Sequence, residues 1–188
     1  MELFASLWLA IIVASVAVWF ASFLVWAVLP IHNKDFDKLP NEEAVVSAAK
    51  AQGVSCGVFM FPAFMGHKDA NKPENRKRYE EGPNGLLTIL PKANMGKNMA
   101  LTFTVFLVVS TLIACVGAMT LERGADFGRV VRVLGTVGVL SYSFAFIPNA
   151  IWFGSKPRAI VNCILDGVAY GLLTGVVFAL LWPAAAVT

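Results

Sequence analysis

The stretch NCILDGVAYGLLTG, residues 162–175, lies inside a long apolar run and carries two polar or small-residue patterns. Polar side chains recur every four residues at Asn162, Asp166, Tyr170 and Thr174. Glycines recur with the same spacing at Gly167, Gly171 and Gly175. Residues four apart lie on one face of an α-helix, and small residues in this spacing let two helix backbones approach closely in lipid. The stretch therefore predicts a membrane helix with a polar face beside a flat packing face.

The composition of the whole chain also indicates a membrane protein. Of its 188 residues, 57% are hydrophobic and 14% are charged, and the mean hydropathy is +0.69. An ordinary soluble domain has roughly 45–50% apolar and about 25% charged residues. Apolar runs long enough to cross a bilayer occur at residues 3–29, 99–119, 130–153 and 159–182. We expect an all-α membrane protein, a four-transmembrane-helix bundle with a small α+β cytoplasmic insert between helices 1 and 2.

The predicted organisation is a first transmembrane helix at residues 1–29, an insert at 30–98 and three further helices at 99–188. The first run opens with Glu2 and exceeds the roughly 7–15 apolar residues of a signal peptide, so we expect it to be retained. Basic residues near span ends are Lys34, Lys38, Lys92, Lys97, Lys156 and Arg158 on the insert side, against Arg123, Arg129 and Arg132 on the other. The positive-inside rule then predicts a cytoplasmic insert and both termini outside. We expect the protein to be integral to the cytoplasmic (inner) membrane.

The insert carries signals for a short helix and a pair of strands. Asn41 is suited to cap a helix over about residues 42–52, and SCGVFMFP and GLLTILP predict two paired strands. We interpret the charged stretch between them, HKDANKPENRKRYEEGPN, as a solvated loop. The predicted apolar side consists of Phe59, Phe61, Phe64 and Leu86. So small a core predicts that the insert needs support from the bundle or a partner.

The third and fourth runs predict a helical hairpin. Counted outward from the turn at residues 155–156, Asn149 matches Asn162 in depth and Tyr142 nearly matches Tyr170. We expect the two amides to pair and Asp166 to lie opposite Ala145. Pro148 is predicted to disturb the backbone hydrogen bonds near the two asparagines.

Asp166 has two interpretations. A charged carboxylate facing lipid costs about 2.5–3.5 kcal/mol on insertion scales, so the side chain should face protein or water. One interpretation is a hydrogen bond that holds spans three and four together, and the other is a proton or ion site. We find no basic residue predicted at comparable depth, which favours the structural interpretation.

Other candidate sites are weaker. His32, Asp35 and Asp37, with His67 further along, are metal-capable residue types, but their spacing matches no dedicated metal site. We interpret them as a solvated interfacial cluster and predict no metal, cofactor, catalytic residue or nucleic-acid partner. Three cysteines without a CxxC spacing predict neither a disulfide framework nor a zinc site. In the first span, small residues at Ala10, Ala14, Ala17 and Ala21 predict a helix contact.

The stretches IPNAIWFGSKPRAIVNCILDGVAYGLLTG, NMGKNMALTF and LPIHNKDFDKLPNEEAV resemble a group of small bacterial integral membrane proteins. The resemblance runs over most of the chain. It implies the four-span fold and brings no established activity or site residues.

Three functions remain open from the sequence. The leading expectation is a non-enzymatic accessory or scaffolding subunit of a larger membrane complex, or a homo-oligomer, with the lipid bilayer and other subunits as partners. The alternative is a small proton- or ion-linked transporter or channel that uses the Asp166 cluster. The third is a membrane metalloenzyme using His32, Asp35 and His67.

Overall fold

The computed structural model describes residues 2–64 and 66–185. They form two compact units, the first made of Met1–Asp37 and Met95–Thr188 and the second of Lys38–Asn94. The predicted insert began at residue 30, whereas residues 30–37 belong to the first unit.

In chain order, the helices are α1 (Glu2–Ser6), α2 (Trp8–Phe23), α3 (Glu42–Ala51), α4 (His67–Ala70), α5 (Pro73–Glu81), α6 (Met95–Thr120), α7 (Phe127–Val139), α8 (Ile147–Trp152) and α9 (Pro157–Leu180). The strands are β1 (Gly57–Phe61) and β2 (Gly85–Ile89). Two π-helical turns, Leu24–Val28 and Leu140–Phe144, and a 3-10 helix, Pro30–Lys34, complete the regular structure.

Four helical segments among the described residues are long and apolar enough to cross a membrane. They are Trp8–Val28, Met95–Thr120, Phe127–Trp152 and Pro157–Leu180. The prediction of four such helices and a small strand pair is confirmed.

Helices α7 and α9 pack backbone against backbone through glycines. A Cβ atom added at Gly175 would lie 2.8 Å from the Cα atom of Gly135, and one added at Gly171 would lie 2.7 Å from the carbonyl carbon of Gly138. Real Cβ atoms essentially never come so close to backbone atoms, so only glycine fits at these positions. The glycine face of the fourth span is therefore the surface that brings the third and fourth spans together.

The third span is interrupted near its middle. Helix α7 passes into the π-helical turn Leu140–Phe144, and α8 begins after this turn. Pro148 lies in the first turn of α8, where the backbone N–H groups have no hydrogen-bond partner within the helix and proline is therefore tolerated. Ser143 in this turn is fully buried and covers Gly167 of α9. Its hydroxyl donates a hydrogen bond to the carbonyl oxygen of Ile164 at 3.4 Å.

The π-helical turn makes one sequence-based prediction wrong. Because a π-helical turn contains more residues than an α-helical turn, the residues after it are rotated relative to α7. Asn149, which was predicted to pair with Asn162, and Ala145, which was predicted to lie opposite Asp166, are both exposed. No hydrogen bond joins Asn149 to Asn162 in the described chain, so the expected amide pair is not formed.

The alanine stripe of the first span faces the bundle. Ala10 and Ala14 are buried, and Ala17 and Ala21 are half-buried. The core around them is apolar and includes Leu7, Ile11, Ile113, Ala114, Leu121, Val130, Leu134 and Phe178. The indole N–H of Trp19 donates to the carbonyl oxygen of Met99 at 3.1 Å, which joins α2 to α6.

The second unit contains the predicted helix and strand pair. The side chain of Asn41 accepts a hydrogen bond from the N–H of Ala44 at 3.0 Å and caps α3, and β1 pairs antiparallel with β2. One residue of the predicted apolar side, Leu86, was assigned to the wrong face of the sheet. Phe59 and Phe61 pair with Leu87 and Gly85, and directly paired residues share a face, so Leu86 lies on the opposite face.

The predicted solvated loop of the second unit is in fact helical. Residues His67–Ala70 and Pro73–Glu81 form α4 and α5. Pro73 stands at the start of α5, where proline favours helix initiation, and Lys77 lies 3.7 Å from Glu81 one turn later. The high charge of this stretch favoured the prediction of a loop, but the stretch is also rich in helix-forming residues.

Candidate functional site

The segment from residue 31 to residue 37, just after the first span, lies along the first three turns of α9. His32 contacts Asp166, and Asp35 accepts a hydrogen bond from the side-chain N–H of Asn162 at 2.9 Å. Asp37 forms an ion pair with Lys156 at 2.6 Å. The order of these contacts shows that the segment runs antiparallel to α9.

The imidazole ring of His32 lies between two carboxylates. Its Nδ1 atom is 2.5 Å from Oδ2 of Asp35, and its Nε2 atom is 3.0 Å from Oδ2 of Asp166. We call these three residues the His–Asp triad. The i, i+3 spacing in the 3-10 helix brings His32 and Asp35 together, because side chains three apart nearly eclipse in this helix.

The number of protons on the triad decides how many of its two contacts are hydrogen bonds. A neutral imidazole carries one N–H, so it donates to only one carboxylate, and its other nitrogen is an acceptor. Both contacts of His32 become hydrogen bonds only when two protons are present, either on an imidazolium or on a neutral imidazole and one carboxylic acid. Loss of one proton leaves two acceptors facing each other at hydrogen-bond distance.

The triad is shielded from solvent. His32 is 6% exposed, and the side chains of Asp35 and Asp166 are 3% and 12% exposed. The interpretation of His32 and Asp35 as solvated is therefore wrong, and so is the expectation that no basic residue reaches Asp166. The side chain of Arg158 lies 3.9 Å from Oδ1 of Asp35 and places a positive charge beside the carboxylates of the triad.

Trp26 covers one side of the triad. Its indole stacks on the His32 ring with the ring centres 3.7 Å apart and the planes 6° from parallel. Trp26 also lines a groove of about 510 Å³ between α2 and α6. The other lining residues are mostly apolar or aromatic and include Trp19, Phe23, Met99, Phe106 and Tyr170. Trp26 thus contacts both the polar triad and an apolar groove.

The two tyrosines of the predicted polar cluster lie deeper in the bundle. The rings of Tyr142 and Tyr170 meet edge to face with centres 6.1 Å apart, and both contact Phe106. Their hydroxyl groups are buried, with the side chains of Ser110 and Thr174 beside that of Tyr142 and the side chain of Trp26 beside that of Tyr170. Thr174 is fully buried, and its hydroxyl donates to the carbonyl oxygen of Tyr170 at 2.8 Å.

The predicted cluster residues thus fall into two groups. Asn162 and Asp166 contact the segment after the first span, rather than the third span as expected. Tyr142, Tyr170 and Thr174 lie together inside the bundle. Asn149 belongs to neither group. No group of three or more His, Cys, Asp or Glu side chains arranged so that they could hold a metal ion occurs in the part of the chain that the structure describes.

The sequence contained one signal for the triad. In PIHNKDFDK, histidine and aspartate stand three apart directly after a proline that follows a span. The negative charges of Asp35 and Asp37 complement the positive charges of Lys156 and Arg158, which lie at the start of α9. These signals indicate a folded segment, but they do not by themselves show which span it contacts.

No family model, curated protein or solved structure matches this chain.

Proposed function

We propose that the protein is a small proton-linked transporter or channel of the cytoplasmic (inner) membrane, in which the His–Asp triad binds and releases a proton. The observation that carries the proposal is that each ring nitrogen of His32 lies within hydrogen-bond distance of a different carboxylate. Histidine changes charge near neutral pH, and ionisable groups within membrane segments commonly mark proton relays.

Proton loss at the triad has a mechanical consequence. When one of the two shared protons leaves, one hydrogen bond becomes a contact between two acceptors, which repel each other. The 3-10 helix Pro30–Lys34 then loses its attachment to α9 on that side. The proton state of the triad is thereby coupled to the position of the segment that ends the first span.

The proposed orientation places the triad near the cytoplasm. The positive-inside rule puts residues 30–98 and the turn before α9 on the cytoplasmic side and both termini outside. Asp166 lies nine residues after Pro157, which corresponds to about 14 Å along the helix at about 1.5 Å per residue. Protons would enter from the end where Lys156 pairs with Asp37. Four spans are few for a transport path, so the proposed working form is a homo-oligomer.

The test measures proton binding directly, because the transported substrate is unknown. Purified protein is reconstituted in liposomes on a solid-supported membrane, and the charge displaced by a pH jump is recorded. We expect a transient current from the native protein and its loss in Asp166→Asn and His32→Gln. Matched controls are Asp37→Asn, whose side chain is 81% exposed, and His67→Gln, which lies in the exposed start of α4.

Two results would contradict the proposal. One is a correctly folded native protein that displaces no charge. The other is a current that survives in Asp166→Asn and His32→Gln at the level of the controls. In either case the triad acts only as a structural attachment of the 3-10 helix to α9.

A second candidate function is an accessory or scaffolding subunit of a larger membrane complex. It is supported by the strand pair, where Val58 and Met60 on one face and Phe59 and Phe61 on the other are between 40% and 67% exposed. An isolated two-stranded sheet is at best marginally stable in water. A partner that covers these side chains would stabilise the second unit.

Native mass spectrometry after extraction in a mild detergent tests the second candidate. We expect a complex with another membrane protein, and its loss when Val58 and Met60 are both replaced by serine. The replacement of Val105 and Val108, on the exposed side of α6, is the matched control. A monomer or pure homo-oligomer at every detergent concentration would leave only the proton-linked function.

A further inference from the structure

Two apolar grooves follow the contact between α2 and α6. One is the groove of about 510 Å³ that Trp26 lines together with residues of α6. The second has a volume of about 410 Å³ and is lined by Val16, Trp19, Met99, Ala100 and Phe103. Trp19 and Met99 line both grooves, so the two grooves lie next to each other along the same pair of helices.

The grooves extend over one half of each span. On α6 the lining residues begin at Met95, where the second apolar segment begins, and reach Phe106, eleven positions later. This corresponds to about 16 Å along the helix at about 1.5 Å per residue. On the first span the lining residues extend from Ala27, next to the end of the span at Val28, back to Val16. The hydrocarbon core of a bilayer is about 30 Å thick, so the grooves have the depth of one leaflet.

The polar side chains that line the grooves interact with other groups of the protein. The indole N–H of Trp19 and the hydroxyl groups of Ser22 and Thr102 donate hydrogen bonds to backbone carbonyl oxygens at 2.9–3.1 Å. Tyr170 is 7% exposed and presents little of its surface to the groove. The described lining residues of both grooves carry no charge. The grooves therefore suit hydrocarbon, because a polar group placed there would lose its hydrogen bonds to water.

The larger groove opens sideways to the surroundings of the bundle. Phe23, Trp26 and Met95, which line it, are 39%, 51% and 70% exposed. Its volume falls within the range of about 300–1,000 Å³ that is typical of small-molecule sites. A ligand can therefore enter from the side, without passing through the core.

We propose that these grooves bind the acyl chains of one phospholipid from the leaflet at the Trp26 end of the spans. The proposal rests on the membrane location of the proposed function, but not on its proton transfer. Acyl chains in a bilayer run roughly parallel to the spanning helices, as the grooves do, and the depth of the grooves matches one leaflet. Trp26 also stacks on His32, so the bound lipid lies one side chain away from the triad.

The first test identifies the residues that an acyl chain contacts. The native protein is reconstituted in phosphatidylcholine liposomes that contain a small fraction of phosphatidylcholine with a diazirine in the middle of one acyl chain. After illumination, mass spectrometry locates the lipid adducts. We expect several-fold more adduct at half-buried Met99 and Phe106 than at Leu101, Val105 and Val108, which are more exposed on the same helix. Non-specific contact with bulk lipid predicts the opposite order, because it follows exposure.

A substitution that fills the larger groove provides the second test. Thr102→Phe should lower the adduct yield at Met99 and Phe106 at least several-fold. Thr104→Phe is the matched control, because Thr104 is also exposed on α6 and makes the same hydrogen bond to the carbonyl oxygen four residues earlier. Thr104 is not among the described lining residues of either groove. Ala27→Phe fills the same groove from the first span and serves if Thr102→Phe does not fold.

The adducts also distinguish other occupants of the grooves. Adduct yields that follow exposure, or that are unchanged in both filling variants, would overturn the lipid site. Labelling of Met99 and Phe106 by diazirine-labelled palmitate but not by the labelled phospholipid would also overturn it, because the ligand would then be a free fatty acid. Absence of any lipid adduct at these two residues would indicate that a second copy of the chain or another protein covers the grooves.

The lipid site and the proton-linked function can fail separately. Groove adducts in a protein that displaces no charge after a pH jump would support the lipid site and reject the proton-linked function. Protein that does not float with the liposomes in a density gradient would reject the membrane location, and the lipid site with it.

Discussion

Nε2 of His32 lies 3.0 Å from Oδ2 of Asp166, although 134 positions separate the two residues in the chain. Oδ2 of Asp35, three residues after His32 in the chain, lies within hydrogen-bond distance of Nδ1, the other ring nitrogen of His32. A short segment after the first span is thereby joined to the fourth span by a contact whose strength depends on a proton.

The protonation of His32 can be observed by NMR. The chain has two histidines, so a sample labelled with ¹⁵N-histidine gives two sets of ring signals, and His67→Gln assigns them. We expect both ring nitrogens of His32 to carry protons in the native protein, or one shared strongly with a carboxylate. Asp166→Asn should change the Nε2 signal, whereas Asp37→Asn should leave it unchanged. A spectrum of His32 that is insensitive to Asp166→Asn would contradict the contact.

Removal of the histidine should be strongly destabilising. In His32→Ala, the carboxylates of Asp35 and Asp166 remain buried without their shared partner, which typically costs about 3–5 kcal/mol in unfolding free energy. His67→Ala, at an exposed position, should change it by less than about 0.5 kcal/mol. Equilibrium unfolding in mixed micelles measures both values. Equal effects of the two variants would mean that the triad contributes nothing to stability.

The polar contacts along α9 should differ in strength according to their burial. Asn162 donates to the buried carboxylate of Asp35, and the loss of a hydrogen bond to a charged group typically costs about 1.5–3 kcal/mol. Lys156 pairs with Asp37 at the exposed end, where such pairs contribute about 0–1 kcal/mol. Unfolding of Asn162→Ala and Lys156→Ala under the same conditions provides the comparison. A larger loss of unfolding free energy in Lys156→Ala than in Asn162→Ala would contradict this prediction.

Trp26 should protect His32 from reagents. Its indole is stacked on the imidazole ring and also lines the apolar groove. Diethyl pyrocarbonate modifies accessible histidines, and we expect it to react rapidly with His67 and slowly with His32. Trp26→Ala should increase the modification rate at His32 at least several-fold, while Trp8→Ala, at another exposed tryptophan of the first span, should not. An unchanged rate in Trp26→Ala would show that other groups shield the ring.

The glycine contact between α7 and α9 should tolerate no side chain. Gly171→Val would force the two backbones apart, and overpacking of this kind typically costs about 1–3 kcal/mol or more. Ala169→Val on the exposed side of the same helix is the matched control and should be nearly neutral. Thermal unfolding in detergent distinguishes them. A stable Gly171→Val variant would indicate that the hairpin packs differently.

The sequence predicted the parts of the fold that depend on local patterns. Four apolar runs gave the four long helices, the spacing of Gly167, Gly171 and Gly175 identified a close-packing face, and Asn41 identified the cap of α3. Each depends on residues within a few positions of one another. The helical state of α5 was missed because its charge was given more weight than its helix propensity.

The site itself could not be predicted, because its partners are distant in the chain. The spacing of His32 and Asp35 is readable, but their contact with Asp166 depends on how the 3-10 helix Pro30–Lys34 returns along α9. No sequence pattern predicted the π-helical turn Leu140–Phe144. This turn places Asn149 away from Asn162. The partner of Asp166 was therefore sought on the wrong helix.

The glycine contact between α7 and α9 has a consequence for motion. Helices α7 and α9 touch through their backbones, which cannot slide past each other without collision. Helix α2 meets its neighbours through side chains such as Trp19, and a side chain can change its rotamer. We therefore expect the hairpin to be the stiffer half of the bundle and the first helix the more compliant half. A rearrangement set off at His32 would be expressed as tilting of the first helix against a fixed support.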